Sequence, residues 1–355
     1  MRVCVVGAGN VGMLMAAEFA ARGHEVAVVT SRPQEWSRTV DVLAPDGDVL
    51  STGELACVTD SLAEGAAGAR YVFVTYPVYL FGRLCAELAP LVEPGQRVCF
   101  VPGADAEFFC DGLLAAGAVV CGLQRVHSVA RIAERGRSVY ELGRKPSLQV
   151  AAIPSSETPE VAGELGDLFR MPVTCLGSYL AMTLTPSNPV LHTSRIRTMF
   201  SDWVPGVSYP ENYLFYEGWD DAASEALLAA DAEVQAVCAA LPELDLSGVR
   251  PLTEHYESPD VPSMTRKISH IPAFAGLRSP MRGTDAGRWV PDFSSRYFSA
   301  DFAYGLKAIR DVAAAAGVAT PALDDIWDWY VAAARPEREL EGVPATRDGL
   351  LDLYR

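Results

Sequence analysis

The feature that most constrains this chain is a glycine-rich turn set between a strand and a helix. Residues 3–6 are a short apolar run, and Gly7-Ala8-Gly9-Asn10-Val11-Gly12 follows at once. Residues 11–22 then have helical periodicity and stop at Gly23. A second β-branched run, 25–30, leads into Ser31-Arg32-Pro33. A lone G-x-G-x-x-G says little, but between the strand and helix of a βαβ unit it is the fingerprint of a dinucleotide site. Gly7 turns the chain out of the strand, Gly9 lets backbone approach a pyrophosphate, and Gly12 lets helix and strand pack closely. Asn10 and Val11 open the helix, where free N–H groups and the helix dipole favour phosphate. NAD(P) and FAD are the cofactors such a turn serves.

Further strand candidates lie at 71–75, 97–100, 119–123, 149–153 and 173–176, several with helical stretches between them. Apolar strands alternating with helices predict a buried, mostly parallel sheet. Beyond about residue 180 the pattern turns helical, at 186–203, 220–241, 301–316 and 321–334, and clear strands are lacking. Residues 242–291 are rich in Pro, Ser and Gly and read as loops with short helices. The expected fold class is therefore α/β followed by all-α. A Rossmann-type doubly wound sheet occupies 1–180 and a helical domain 181–355.

Charge narrows the partners. With 29 Lys+Arg against 45 Asp+Glu, the net charge of −16 argues against nucleic acid and anionic membrane. No apolar run approaches the ~20 residues of a membrane span, and no secretory leader is evident, so a cytoplasmic location is expected. The eight cysteines include no CxxC pair and no zinc spacing, so reduced thiols and no metal are expected. The amphipathic helices of the second half suit a homodimer.

The end of the second strand selects the cofactor. An acid there would hold a ribose 2′-hydroxyl; Thr30, Ser31 and Arg32 stand in its place and suit a 2′-phosphate, which favours NADP(H) over NAD(H). Tyr76 and Pro77 follow the 71–75 strand and are expected to border the cofactor, because ligands bind at the carboxyl ends of such strands. Of five histidines, His192 stands out. It lies in Thr185-Pro186-Ser187-Asn188-Pro189-Val190-Leu191-His192, with Asn188 one helical turn earlier. The aromatic residues Trp203, Tyr213, Tyr216 and Trp219 nearby read chiefly as core.

The Asn188-Pro189-Val190-Leu191-His192 run resembles the octopine/nopaline (opine) dehydrogenase family. So do Phe215-Tyr216-Glu217-Gly218, Ser295-Arg296-Tyr297-Phe298-Ser299-Ala300-Asp301 with Tyr304-Gly305-Leu306, Gln124-Arg125-Val126 and Gly136-Arg137-Ser138-Val139. The resemblance spans nearly the whole chain and rests on order and spacing. It implies reductive condensation of an amino acid or amine with a 2-oxo acid through an imine, with hydride from NAD(P)H. It also implies that His192 and Asp301 handle the proton and that Arg296 holds a substrate carboxylate. Gln124, Asn188 and Arg195 are further candidates for substrate contact. Two other readings stay open. A ketopantoate or β-hydroxyacid type of reductase would need no amine, but it usually employs a Lys, and residues 183–203 contain none. A non-catalytic NADP-binding sensor would bind cofactor without turnover.

Overall fold

The computed structural model describes residues 1–185 and 188–354. The chain divides into two compact units, Met1–Met182 with the C-terminal residues from Leu353, and Thr183–Asp352.

The first unit carries twelve strands. They are β1 (Arg2–Val6), β2 (Glu25–Val29), β3 (Thr39–Leu43), β4 (Val49–Glu54), β5 (Cys57–Thr59) and β6 (Tyr71–Val74), then β7 (Arg97–Phe100), β8 (Val119–Leu123), β9 (Ser128–Glu134), β10 (Ser138–Arg144), β11 (Leu148–Ile153) and β12 (Val173–Cys175). Eight form one sheet in the order β12-β11-β8-β7-β6-β1-β2-β5. All its pairings are parallel except β11 against β8. β1, β6, β7 and β8 are buried almost throughout, as continuous apolar strands covered on both faces must be. From β1 the chain winds one way through β2 and β5, then returns to β6 on the other side of β1. The carboxyl end of β1 is thus a topological switch point, the place where open α/β sheets bind ligands.

A second sheet, β4-β3-β10-β9, was not expected from the sequence. Its strands are half-exposed and interrupted by Asp41, Gly53, Glu141 and Gly143, so the apolar signal is faint. It lies on the helix Asn10–Ala21, which is buried from Gly12 to Phe19 because a sheet packs on each side of it. A Cβ at Gly53 would run into Ala17 O, so glycine permits this close approach.

The second unit is mainly helical. Asp221–Ala240 is its central helix, capped by Asp220 Oδ1, which accepts from Ala223 N–H at 2.9 Å. Around it pack Asn188–Met199, Val261–Ser269, Lys307–Ala316 and Pro321–Ala334. The expected start of the first of these at Pro186 lies outside the described residues. Two features correct the sequence reading. A short antiparallel hairpin, β13 (Met281–Gly283) with β14 (Trp289–Pro291), lies in the stretch read as loop. The helix expected to start at Asp301 starts instead at Tyr297, and Tyr297–Leu306 is wound as a π-helix.

One buried cluster makes the first unit sensitive to acid. His127 is fully buried against the Phe169 ring, 5.0 Å away, with Nε2 3.2 Å from Glu18 Oε2 but without hydrogen-bond alignment. Glu18 pairs with Arg144 and lies 3.5 Å from Arg22. Burial pushes the His127 imidazole down to about 4, with Glu141 raising it and Arg22 lowering it. Between its unfolded pKa of 6.5 and its folded value the unfolded chain binds more proton, so stability is full above 6.5 and drains as pH falls toward 4. At 1.36 kcal/mol per unit this residue alone should remove about 2 kcal/mol between pH 7 and pH 5. Urea unfolding at the two pH values should show this loss, and His127→Leu should show a shallower one; equal slopes would contradict it.

Candidate active site

In the first unit the three glycines have separate physical reasons. Gly7 has φ +113°, a left-handed turn, and a Cβ there would lie 2.5 Å from Thr75 Oγ1. A Cβ at Gly12 would run into Gly7 O, so this glycine lets the helix sit against the turn. A Cβ at Gly9 would meet nothing within 4 Å, so the space before the helix start is open. The first intrahelical bond is Met13 N–H to Gly9 O at 2.9 Å, which leaves the earlier N–H groups without an intrahelical acceptor. This is an arrangement a pyrophosphate fits. Asn10 belongs to it through its backbone, because its Oδ1 already accepts from Ile132 N–H at 2.9 Å.

Sequence reasoning missed Thr75. Its hydroxyl donates to Val6 O at 3.3 Å and Gly7 O at 3.1 Å, tying the end of β6 to the turn. Tyr76 lies beside Gly7, half-buried, and burial raises its phenol. Beyond β2, Thr30 is buried and its Oγ1 accepts the Arg32 N–H at 3.4 Å, while Ser31 is exposed. The Arg32 guanidinium is 62% exposed and lies 3.4 Å from Glu35 Oε1. Gln124 is half-buried just beyond β8.

In the second unit, His192 projects from the helix Asn188–Met199. Its Nδ1 is 2.8 Å from Asp301 Oδ2 on the π-helix, and its Nε2 is 2.8 Å from the Tyr216 hydroxyl. A carboxylate only accepts, so Nδ1–H donates to Asp301 and the neutral imidazole presents Nε2 as the acceptor of the Tyr216 O–H. Rings surround it, Tyr297 at 4.6 Å and Phe215 at 5.7 Å. Gly305 sets the approach of the two helices: a Cβ there would lie 2.5 Å from Pro189 Cγ. Arg296, at the start of the π-helix, is exposed and lowers the Tyr297 phenol, which burial and Asp301 raise more strongly. Asn188 is exposed one turn before His192.

Arg195 corrects the sequence reading. Its side chain is nearly buried and committed: Nε donates to Phe215 O at 3.3 Å, Nη2 to Gly218 O, and Nη1 pairs with Asp220 Oδ2 at 3.0 Å. These bonds clamp the Phe215-Tyr216-Glu217-Gly218 loop and engage the donors that sequence reasoning offered to a substrate. Tyr216 is the second residue sequence reasoning missed, because nothing in an aromatic stretch marks which ring carries the hydroxyl that reaches His192. Among the described residues no group of three or more His, Cys, Asp or Glu is disposed to hold a metal.

Comparison with known proteins follows this division. The family described as NAD/NADP octopine/nopaline dehydrogenase, alpha-helical domain, matches residues 175–334. That described as ketopantoate reductase PanE/ApbA matches residues 3–102. A tauropine dehydrogenase of Arabella iricolor is 30% identical over 292 residues, covering 77% of this chain and 73% of its own. An octopine dehydrogenase of Pecten maximus is 28% identical, covering 98% and 94%. A solved structure of octopine dehydrogenase in complex with NADH and agmatine matches with TM-score 0.84 at 26% identity, over 98% of this chain and 93% of that one.

Because Gly305 sets the approach of the two helices, Gly305→Ala should cost about 1–3 kcal/mol through overpacking. It should also weaken the His192–Asp301 bond, seen as loss of a downfield Nδ1–H proton resonance. An unchanged unfolding midpoint together with an unchanged resonance would contradict the packing role.

Proposed function

The chain belongs to the octopine/nopaline dehydrogenase family, and we propose how its residues carry out that family's reaction. It is an NAD(P)-dependent opine-type dehydrogenase, joining the amine of an amino acid to a 2-oxo acid by reductive condensation. The observation that carries the mechanism is the 2.8 Å bond between His192 Nδ1 and Asp301 Oδ2.

Gly7, Gly9, Asn10, Val11 and Gly12 would hold the pyrophosphate through backbone N–H groups, with Tyr76 and Pro77 bordering the cofactor. The bound nicotinamide supplies the hydride. His192 takes a proton from the substrate ammonium, which frees the nitrogen lone pair to attack the 2-oxo carbon. A second proton passes from the nitrogen to the new alkoxide to give the carbinolamine; the proton held by His192 then joins that hydroxyl, water leaves, and the nitrogen lone pair closes the C=N bond as an iminium. Asp301 fixes the tautomer and stabilises the imidazolium between these steps. Arg296 grips the substrate carboxylate with its planar fork. Gln124 and Asn188 are secondary substrate contacts in this reading. The Asn188–Met199 helix carries no lysine, so it lacks the acid/base group of a ketopantoate-type reductase.

Within NAD(P) dependence, NADPH is the favoured cofactor, because no carboxylate follows β2 directly and the exposed Arg32 guanidinium suits a 2′-phosphate. Arg32→Ala should raise KM for NADPH at least tenfold and leave KM for NADH within about threefold, the loss expected of a charge-assisted phosphate contact. Unchanged KM for both would remove Arg32 from the site.

His192→Ala should lower kcat by about 10²–10⁴-fold while NADPH binding, read by fluorescence titration, stays intact. Turnover within a few fold of the parent enzyme would overturn the assignment.

A further inference from the structure

His192 has both ring nitrogens engaged by the protein. Nδ1 is held by Asp301, so Nε2 is the nitrogen left to exchange a proton with substrate, and the Tyr216 hydroxyl sits on it at 2.8 Å. Tyr216 is itself fixed. Its ring stacks on Phe274 with centroids 4.0 Å apart and planes 20° apart, and meets Phe215 edge-on at 4.9 Å. The carbonyls on either side, Phe215 O and Gly218 O, are clamped by Arg195. The adjoining Glu217 Oε2 accepts Gly276 N–H at 2.6 Å, which anchors the loop following Phe274. A ring stacked on one face, met edge-on by a second ring and fixed along its backbone is a poor candidate to swing aside and expose Nε2.

We propose that Tyr216 is a further catalytic residue of this reaction, its hydroxyl relaying the proton between substrate and His192 Nε2, inward from the ammonium as Oη passes its own proton to Nε2, and outward from Nε2 to the carbinolamine oxygen. The inference rests on the functional reading above and adds the group that touches the reacting atom. Burial, helped by Tyr297, Tyr256 and Asp301, holds the phenol well above its ordinary value, so the hydroxyl does not rest as phenolate. The transfer is therefore concerted. The Nε2–H bond of the imidazolium breaks as an H–Oη bond forms. The original Oη–H bond breaks as its proton joins the carbinolamine oxygen. The C–O bond breaks, water leaves, and the nitrogen lone pair completes the C=N bond. One proton leaves His192 and one reaches the oxygen, and Tyr216 ends neutral. The reverse sequence serves opine oxidation.

Tyr216→Phe keeps the ring and its stack on Phe274 and removes only the oxygen. The test uses the full chain with NADPH, pyruvate and, as amine probes, L-arginine and taurine, read as single-turnover loss of nicotinamide absorbance. The expected result is a fall of about 100-fold or more in the single-turnover rate, with KM for pyruvate and amine within about threefold. In H2O/D2O mixtures the wild-type rate should follow a bowed dependence on deuterium fraction, as two protons in flight require, and the variant should lose that bow. A variant within about threefold of wild type would overturn the relay, as would a variant that keeps the bow. A straight dependence in the wild type would do the same without relying on any substitution. His192→Ala separates the two claims. If it is inactive while Tyr216→Phe is fully active, the relay alone fails; if it is active, the underlying assignment fails.

Discussion

The hydrogen bond between His192 Nδ1 and Asp301 Oδ2 joins residues 109 apart in sequence, and much of the second unit is built to make it. The histidine rides on a regular helix whose outer face is tied down by Arg197, bonded through Nε and Nη2 to Asp325. The aspartate rides on a π-helix, a winding rare enough that it needs support from its surroundings. Part of that support is visible. Phe298 and Phe302 stack at 5.5 Å, and Tyr330 lies 4.6 Å from Phe302, so rings hold the buried side of the π-helix. On the side facing His192, Gly305 lets the backbone come against Pro189. The bond then fixes the tautomer, and the tautomer decides which nitrogen can accept a proton.

The first unit obeys a different constraint, the switch point at β1. Strands on either side of β1 arrive from opposite directions of winding, and the turn after β1 must leave room beyond it. The Thr75 hydroxyl, bridging from the end of β6 to Val6 O and Gly7 O, holds the turn in a shape that only glycine at position 7 can adopt. Open space before Gly9 and contact behind Gly12 put both requirements of a phosphate cradle into six residues.

Much of this was legible in the sequence, for a physical reason. Fully buried parallel strands such as β1, β6 and β7 need continuous apolar runs, and a phosphate turn needs glycine at fixed spacing, so both leave a direct trace. The second sheet left little trace because one face of each strand meets water and because Gly53 is there for backbone approach instead of apolar packing. The π-helix left none: residues 301–306 read as the first turns of an ordinary helix, and the winding is imposed by packing. The candidate pair His192 and Asp301 came from a resemblance spread over the chain, and the structure sets the two in contact. Arg195 shows the limit of reading charge from sequence. An arginine three residues from the histidine was a candidate for substrate contact, yet its donors engage the backbone and the Asp220 side chain of the neighbouring loop. Tyr216 shows the converse, since an aromatic ring in an aromatic stretch announces packing and conceals its hydroxyl.

As a member of the octopine/nopaline dehydrogenase family the chain couples an amine to a 2-oxo acid. This coupling is tested most directly by following nicotinamide absorbance with NADPH and pyruvate, first alone and then with a pool of amino acids and taurine. Oxidation that appears only when the amine is added is the predicted result. Oxidation at the same rate with pyruvate alone would contradict the account and make the enzyme a simple 2-oxo acid reductase.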